Sequence, residues 1–288
     1  MNERDAFPST GRLIGEAFDH WATHQGRFWI IAGPAGIVLA SLSLAAPHIS
    51  PLLFLGFEPL VDSWLVQLGF HALLATLVLY QWFKLALYDD WGHRLRTLLG
   101  ADRFPWRAFV DGGFVAFWML QWLLSSIMFV LWGELVRSQM PSQEELRQGV
   151  PITWLVHVPI EWIKEIALAG LFGGFLLFLP ARAVGFPWGP RRAFREAAGI
   201  RRHLTATALF LTLLLFVSER ALNVFETFVM PPQIAGLASP VVPFVSTVLL
   251  RLIELLTLYM LAHTVSRLFV MKTGWTPERE MPEKVAPE

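Results

Sequence analysis

Six long apolar segments, separated by shorter polar ones, dominate the pattern of residues along this chain of 288 residues. Each is about as long as the ~20 residues that a helix needs to cross a hydrocarbon layer about 30 Å thick. The segments cover approximately residues 27–47, 65–88, 109–136, 160–180, 204–229 and 241–271. The pattern predicts an all-α fold, a polytopic bundle of six transmembrane helices that forms one membrane domain over residues 1–272.

Two shorter segments have the pattern of interfacial helices. Residues 11–26 repeat apolar side chains at helical spacing, and Ser9 or Thr10 is available as the N-cap. Residues 191–202 carry five arginines that suit anionic lipid headgroups, namely Arg191, Arg192, Arg195, Arg201 and Arg202. We expect both helices to lie in the headgroup plane. The tail at 273–288 is polar and rich in proline, which predicts disorder.

The fourth apolar segment is the least regular. Residues 166–180 are apolar, whereas the preceding half carries charged side chains. The segment is either one helix, continuous or broken near Pro159, or a re-entrant or interfacial helix that leads into a short span. Glycines predict close helix packing at Gly173–Gly174, and the GPAG sequence at 33–36 predicts a kink or a close helix contact in the first span.

Composition and charge narrow the class of protein. The chain is 55% hydrophobic and 16% charged, which is too apolar for a soluble domain of this length. Its net charge is zero, so the broad basic surface that nucleic acids require is not expected. Cysteine is absent, which excludes disulfides and thiolate chemistry. The first residues lack the pattern of a signal peptide, so we expect the first span to direct insertion.

The distribution of Lys and Arg predicts the orientation. With six spans, the segments that face one side hold 17 of these residues and those that face the other side hold two. The positive-inside rule therefore places both termini in the cytoplasm. We expect a multi-pass protein of the bacterial inner membrane.

Charged residues inside the spans are the main functional clue. Depth along each predicted helix places three glutamates roughly 22–24 Å from the cytoplasmic face, in one layer with their charged neighbours. A charge in lipid costs at least a few kcal/mol, so these side chains should pair. The layer is a structural network, a polar cavity that holds a ligand or relays protons, or a contact surface for another membrane protein. It comprises Glu161, Lys164, Glu165, Glu219, Arg220, Arg251 and Glu254.

Histidines and catalytic motifs add little. His71 and His263 lie within spans but differ in depth by roughly 16 Å, so a bis-histidine haem is not expected. His20 and His24 lie one helical turn apart, which is only a two-ligand pattern, and we expect solvated side chains there. The chain contains no HExxH, GxSxG or Walker sequence. We expect no metal, no cofactor and no enzymatic activity, with an intramembrane enzyme at Glu161–Lys164–Glu165 as the last alternative.

Two cytoplasmic loops resemble those of a known group. The stretch FLLFLPARAVGFPWGPRRAFREAAGIRRHLTATALF has an apolar span end, an LPA-x-AVG turn and a short basic helix. The stretch LYDDWGHRLRTLLGADRFPWRAF precedes the third span, with Gly92 between Trp91 and His93. Together with an amphipathic N-terminal helix, these features resemble the YciC-like, six-span inner-membrane proteins of unknown function. The resemblance implies six spans and cytoplasmic termini, and it implies no activity.

The functional expectation follows from this architecture. In such an architecture most of the surface that could bind a partner faces the membrane. We therefore expect an accessory or scaffold subunit that binds membrane lipids or packs against other integral membrane proteins or itself. The alternative is a small transporter or lipid-handling permease that uses the charged layer.

Overall fold

The protein is all-helical in the part of the chain that the structure, a computed structural model, describes. No strand occurs among these residues, which confirms the predicted fold class for them. The described residues are 7–53, 59–88, 111–121, 123–124, 127, 166–167, 169–229 and 241–276. Their helices are α1 (Thr10–Thr23), α2 (Gln25–Leu53), α3 (Pro59–Tyr88), α4 (Gly112–Gln121), α5 (Phe178–Ala183), α6 (Pro190–Glu196), α7 (Arg201–Val229) and α8 (Val241–Thr273).

Two of these helices are long and apolar enough to cross a membrane. Gln25–Leu44 of α2 provides 20 such residues and Phe244–Thr273 of α8 provides 30. The bent pair α6 and Arg201–Ser218 of α7 passes the same test when it is counted as one span. The chain therefore has the character of a membrane protein, with two or three candidate spans among the described residues.

Helix α8 is the centre of the bundle. It packs against α2, α3, α7, α1 and α5. Aromatic rings fill the contact between α2, α3 and α8: Phe28 stacks on Trp82 at 5.7 Å between ring centroids, and Tyr259 meets both rings edge-on. Offset and edge-on aromatic pairs stabilise a contact beyond the area that they bury, so this cluster fixes the three helices relative to one another.

Glycine allows two close helix contacts that the sequence predicted. Helix α2 continues through the GPAG sequence, and a Cβ at Gly36 would lie 2.8 Å from Leu252 Cδ2 of α8. A Cβ at Gly173 would lie 2.8 Å from the Cα of Thr205 in α7. The glycines therefore bring helices together, as small residues do in membrane bundles.

The fourth predicted span is broken, and the break lies at residues 174–177. There the Phe175 N–H donates to the Phe172 carbonyl and the Leu176 N–H donates to the Gly173 carbonyl, the tighter hydrogen-bond pattern of a 3₁₀ turn. Pro159, where the sequence suggested a break, lies outside the described residues.

Both segments that were predicted as interfacial helices are helical, with different bounds, and their position at the interface stays a prediction. Ser9 caps α1, since its Oγ accepts from the Arg12 N–H at 3.3 Å. Helix α6 ends at Glu196 and not at residue 202, because the chain turns through Gly199 at φ +89°. A positive φ is easily adopted only by glycine. Arg201 and Arg202 consequently belong to the first turn of α7.

The tail also begins later than predicted. Trp275 is buried and meets the ring of Tyr88 edge-on, with 5.3 Å between ring centroids. This contact fixes the chain just beyond α8 against the end of α3. The remainder of the predicted disordered tail, from residue 277, lies outside the described residues.

Candidate functional site

Two members of the predicted charged layer form a buried ion pair. Arg251 Nη1 lies 2.9 Å from Glu254 Oε2, one turn away on α8. Arg251 Nη2 also donates to Ser43 Oγ of α2 at 3.1 Å. The side chains are 19% and 7% exposed, respectively. The two charges of the pair therefore compensate each other, and the pair joins α8 to α2.

The structure does not describe the side chains of the other members of the layer. Glu219 and Arg220 lie within α7, but their side chains are outside the described ones. Glu161, Lys164 and Glu165 lie outside the described residues altogether. Their place in one layer with the Arg251–Glu254 pair stays a prediction.

A cavity of about 240 Å³ lies beside the ion pair. It is enclosed by α4, residues 169–176, α7 and α8, and most of its lining is Leu, Ala and Phe. The polar exceptions are Glu254, Thr257, Thr212, Gln121 and the indole of Trp118. The cavity is thus an apolar space with a small set of polar groups, which is the usual composition of a ligand site.

The polar residues that α8 contributes to this cavity precede its apolar ones. Helix α8 contributes Glu254 and Thr257 first and Leu258 and Leu261 later, over about 10 Å of helix. Helix α7 runs antiparallel to α8, because its start at His203 contacts α1, which packs on the later part of α8. On α8 the polar lining residues therefore lie farther from α6 than the apolar ones, whereas on α7 the apolar Leu215 lies farther from α6 than Thr212.

Two polar atoms at the cavity have no hydrogen-bond partner among the described residues. They are Trp118 Nε1 and Gln121 Oε1, one turn apart on α4 and both removed from solvent. The Trp118 side chain is 96% buried, as its residue is only 4% exposed. A buried polar atom without a partner costs about 1–3 kcal/mol. Both atoms are covered by protein and do not open onto the cavity, although their residues line it.

A second ion pair was not anticipated from the sequence. Arg182 binds Asp111 through two hydrogen bonds of 2.7 and 2.6 Å, and Asp111 Oδ1 also accepts from the Phe114 N–H at 2.8 Å. A Cβ at Gly113 would lie 3.0 Å from the guanidinium, so glycine leaves room for it. The only sequence signals are an Asp at the start of the predicted third span and an Arg just after the fourth, 71 residues apart.

The histidines are placed differently from the prediction. His20 and His24 are partly buried rather than solvated, with ring centroids 4.3 Å apart. His263 of α8 lies 4.5 Å from His20, and His20 Nδ1 forms a 2.6 Å hydrogen bond with the Tyr259 hydroxyl. The cluster docks α1 on α8. In the described ranges no set of three His, Asp or Glu residues is placed to hold a metal ion.

The predicted headgroup arginines divide into two groups. Arg191, Arg192, Arg195 and Arg202 are exposed. Arg201 instead covers the Phe194 ring at 3.7 Å and donates to the Phe194 carbonyl at 2.8 Å. It therefore fixes the turn between α6 and α7, and the other four arginines remain accessible to a ligand.

Comparison with known proteins adds no further information. No protein-family model, curated protein or solved structure matches the chain. The geometry of the described residues is consequently the basis for a functional proposal.

Proposed function

We propose that this chain is a non-enzymatic, multi-pass protein of the bacterial inner membrane that binds anionic lipid through α6 and acts as an accessory subunit of a larger membrane complex. The observation that carries the proposal is the angle of 108° between α6 and α7. If α7 crosses the bilayer, α6 lies nearly in its plane.

The side chains of α6 suit this position. Ala193 is buried against the bundle, while Arg191, Arg192 and Arg195 are exposed. Each cation near an anionic surface is worth about 1 kcal/mol, so three on one short helix give a marked preference for anionic lipid. The half-exposed Phe194 adds apolar contact at the same depth.

Six spans and cytoplasmic termini belong to the same proposal. Thr10 Oγ1 lies 3.2 Å from His203 Nδ1 at the start of α7, and Trp275 contacts Tyr88 at the end of α3. The start and the end of the described chain thus lie at one end of the bundle. An even number of crossings is required for that, which supports six. The relation to the YciC-like proteins is likewise proposed, from the sequence of the two loops alone.

The lipid-binding part is tested in nanodiscs that contain phosphatidylcholine and phosphatidylglycerol. Native mass spectrometry of the released protein should show retained phosphatidylglycerol, which falls when Arg191, Arg192 and Arg195 are all changed to Gln. The matched control changes Arg12, Arg267 and Lys272 to Gln, which removes the same charge from exposed positions outside α6. An equal loss in both triple variants would refute a specific role for α6.

The subunit part is tested on protein extracted gently from its own membrane. Native mass spectrometry should detect a stoichiometric protein partner. A lone protomer, or a homo-oligomer that carries only a defined lipid or small molecule, would exclude the subunit role.

A small transporter or lipid-handling permease is the second candidate, and the cavity next to the Arg251–Glu254 pair favours it. Changing Glu254 to Gln should then abolish a flux measured in proteoliposomes while the protein remains folded. Loss of assembly without any wild-type flux would instead support the structural interpretation.

A further inference from the structure

We propose that His20, His24 and His263 form a pH-sensitive switch, which holds α1 on α8 while the imidazoles are neutral and releases α1 when they are protonated. We call these three residues the histidine cluster. The switch is separate from α6 and does not depend on anionic lipid binding there. It rests on the contacts between the rings, on the groups that surround them and on a small pocket that the three residues line.

The rings of the histidine cluster form most of the contact between the second half of α1 and α8. The His20 ring lies 4.3 Å from that of His24 and 4.5 Å from that of His263, measured between ring centroids. Neutral aromatic rings attract each other at such distances. Two protonated imidazoles repel each other there, and the repulsion is strong because the contact is partly shielded from water. Protonation therefore turns an attractive contact between the helices into a repulsive one.

Hydrogen bonds also favour the neutral form of the cluster. His263 Nδ1 is removed from solvent and has no hydrogen-bond partner among the described residues. A protonated imidazole carries a hydrogen on both nitrogens, so a charged His263 would bury an N–H without an acceptor in that part of the chain. The 2.6 Å hydrogen bond between His20 Nδ1 and the Tyr259 hydroxyl can exist in either state, since a hydroxyl both donates and accepts. The preference for neutral rings is thus set at the contact with α8.

The groups around the cluster offer a protonated ring no carboxylate in the pocket that the cluster lines. Helix α2 contributes Arg27 to this pocket, and α8 contributes the Tyr259 hydroxyl. None of the described residues that line it is acidic. Helix α3 provides only uncharged side chains, namely Trp82, Leu85 and Ala86.

The acids of α1 lie outside this pocket. Glu16 Oε1 lies 3.1 Å from Arg12, and Glu16 Oε2 lies 3.8 Å from Arg267, which follows His263 by one turn of α8. Asp19 is exposed, so water and salt screen its charge. Glu16 consequently already compensates arginines, and each proton that the cluster takes up adds positive charge to the contact between α1 and α8.

The pocket makes the cluster accessible to protons. It has a volume of about 10 Å³, close to the space that one water molecule needs, and the exposed Arg27 lies at its edge. Histidine ordinarily changes its charge near pH 6.5. Because docking favours the neutral rings, we expect α1 to be fully docked above this pH and to be released progressively as the pH falls below it.

Distances between two spin labels on the full-length protein in phosphatidylcholine nanodiscs test the switch. The chain has no cysteine, so labels at Ala22→Cys of α1 and Met271→Cys of α8, both exposed, report on this contact alone. Double electron–electron resonance should show one narrow distance at pH 8 and a second, longer one at pH 5. The ratio of released to docked α1 should rise by up to about tenfold per pH unit below about 6.5, as linkage to one proton requires.

Variants assign the response to the cluster. His263→Phe keeps a ring but cannot be protonated, so the distance should stay the same at both pH values. His263→Lys carries a positive charge throughout, and the longer distance should appear already at pH 8. His203→Gln is the matched control, because His203 of α7 also contacts α1, at Thr10, but lies outside the cluster. That variant should keep the full response.

A reference pair, Ile37→Cys of α2 with Met271→Cys, separates release of α1 from unfolding of the bundle, and its distance should not change. A single unchanged distance for the α1 pair between pH 8 and pH 5 would overturn the switch, and so would an equal change in the reference pair. An unaltered response in His263→Phe, or a lost one in His203→Gln, would overturn the role of the cluster. The pH series leaves the cluster intact, so it is decisive even if a variant of His263 fails to fold.

Discussion

At the scale of single residues, the bundle is held by a few polar pairs in an apolar interior. Arg251–Glu254 links α8 to α2 through Ser43, and Asp111–Arg182 links α4 to α5. Removing one partner of a buried pair leaves an uncompensated charge, and this is far more costly than removing both. These residues therefore have a structural role whether or not the cavity binds a ligand.

We expect Arg251→Leu to lower the free energy of unfolding by about 3 kcal/mol, because it removes the guanidinium that compensates the charge of the buried Glu254 carboxylate. Arg251→Leu with Glu254→Leu should recover part of that loss. Reversible unfolding in mixed micelles measures both. Arg12→Leu is the control, since its pair with Glu16 is exposed and worth less than about 1 kcal/mol. If the loss of unfolding free energy in the double variant equals the sum of the losses in Arg251→Leu and Glu254→Leu alone, the pairing is contradicted.

Substitutions of Asp111 should destabilise the protein to different degrees, because its carboxylate both accepts the Phe114 N–H and binds Arg182. Asp111→Asn keeps an oxygen for the Phe114 N–H but loses the charge that binds Arg182, whereas Asp111→Ala loses both interactions. We expect Ala to be more destabilising than Asn by about 1 kcal/mol, the usual value of an N-cap. The same unfolding measurement applies. Equal destabilisation would mean that the cap contributes nothing.

At the scale of elements, glycine and hydrogen-bond geometry determine where helices meet and end. Gly173 allows the chain after residue 169 to touch the backbone of α7, and Gly199 ends the turn that separates α6 from α7. Because α6 is turned away from α7, its arginines are presented as a group. The lipid-binding proposal thus depends on the local conformation around Gly199 as much as on charge.

Gly173→Ala should destabilise the protein, because the new Cβ would lie 2.8 Å from the Cα of Thr205, and backbone cannot yield as a side chain can. Overpacking of this kind costs about 1–3 kcal/mol. Gly33→Ala in α2 is the matched control, as nothing lies within 4 Å of its Cβ position. There the better helix propensity of Ala should stabilise α2 by up to about 1 kcal/mol. Thermal unfolding of both variants in one detergent compares them.

At the scale of the whole molecule, α8 organises the bundle and both ends of the described chain return to one side. The N-terminal helix is docked there by the cluster of His20, His24 and His263 together with Tyr259. Trp275 is fixed nearby against Tyr88. The basic residues of α6 and of the end of α8 lie near each other, since Trp188 contacts both Phe269 and Arg192, and this agrees with the cytoplasmic face that we propose.

Reporter fusions test this topology. We expect green fluorescent protein to be fluorescent when fused after residue 276 or at residue 186, and alkaline phosphatase to be active when fused at residue 145 or residue 235. The reason is that positively charged loops are retained in the cytoplasm. Active phosphatase at residue 276 would contradict an even number of spans with a cytoplasmic N-terminus.

Sequence alone determined the helical class, the apolar segments that become α2, α3, α7 and α8, and the two candidates, Ser9 and Thr10, for the N-cap of α1, because hydrophobic runs and capping are local properties. It also identified Arg251 and Glu254 as neighbours, since they are one helical turn apart. Only the tertiary structure decided that Asp111 meets Arg182, that His20 meets His263, and that residues of α4 line the same cavity as Glu254. Such contacts join distant parts of the chain, and they depend on how helices pack rather than on the pattern within any one of them.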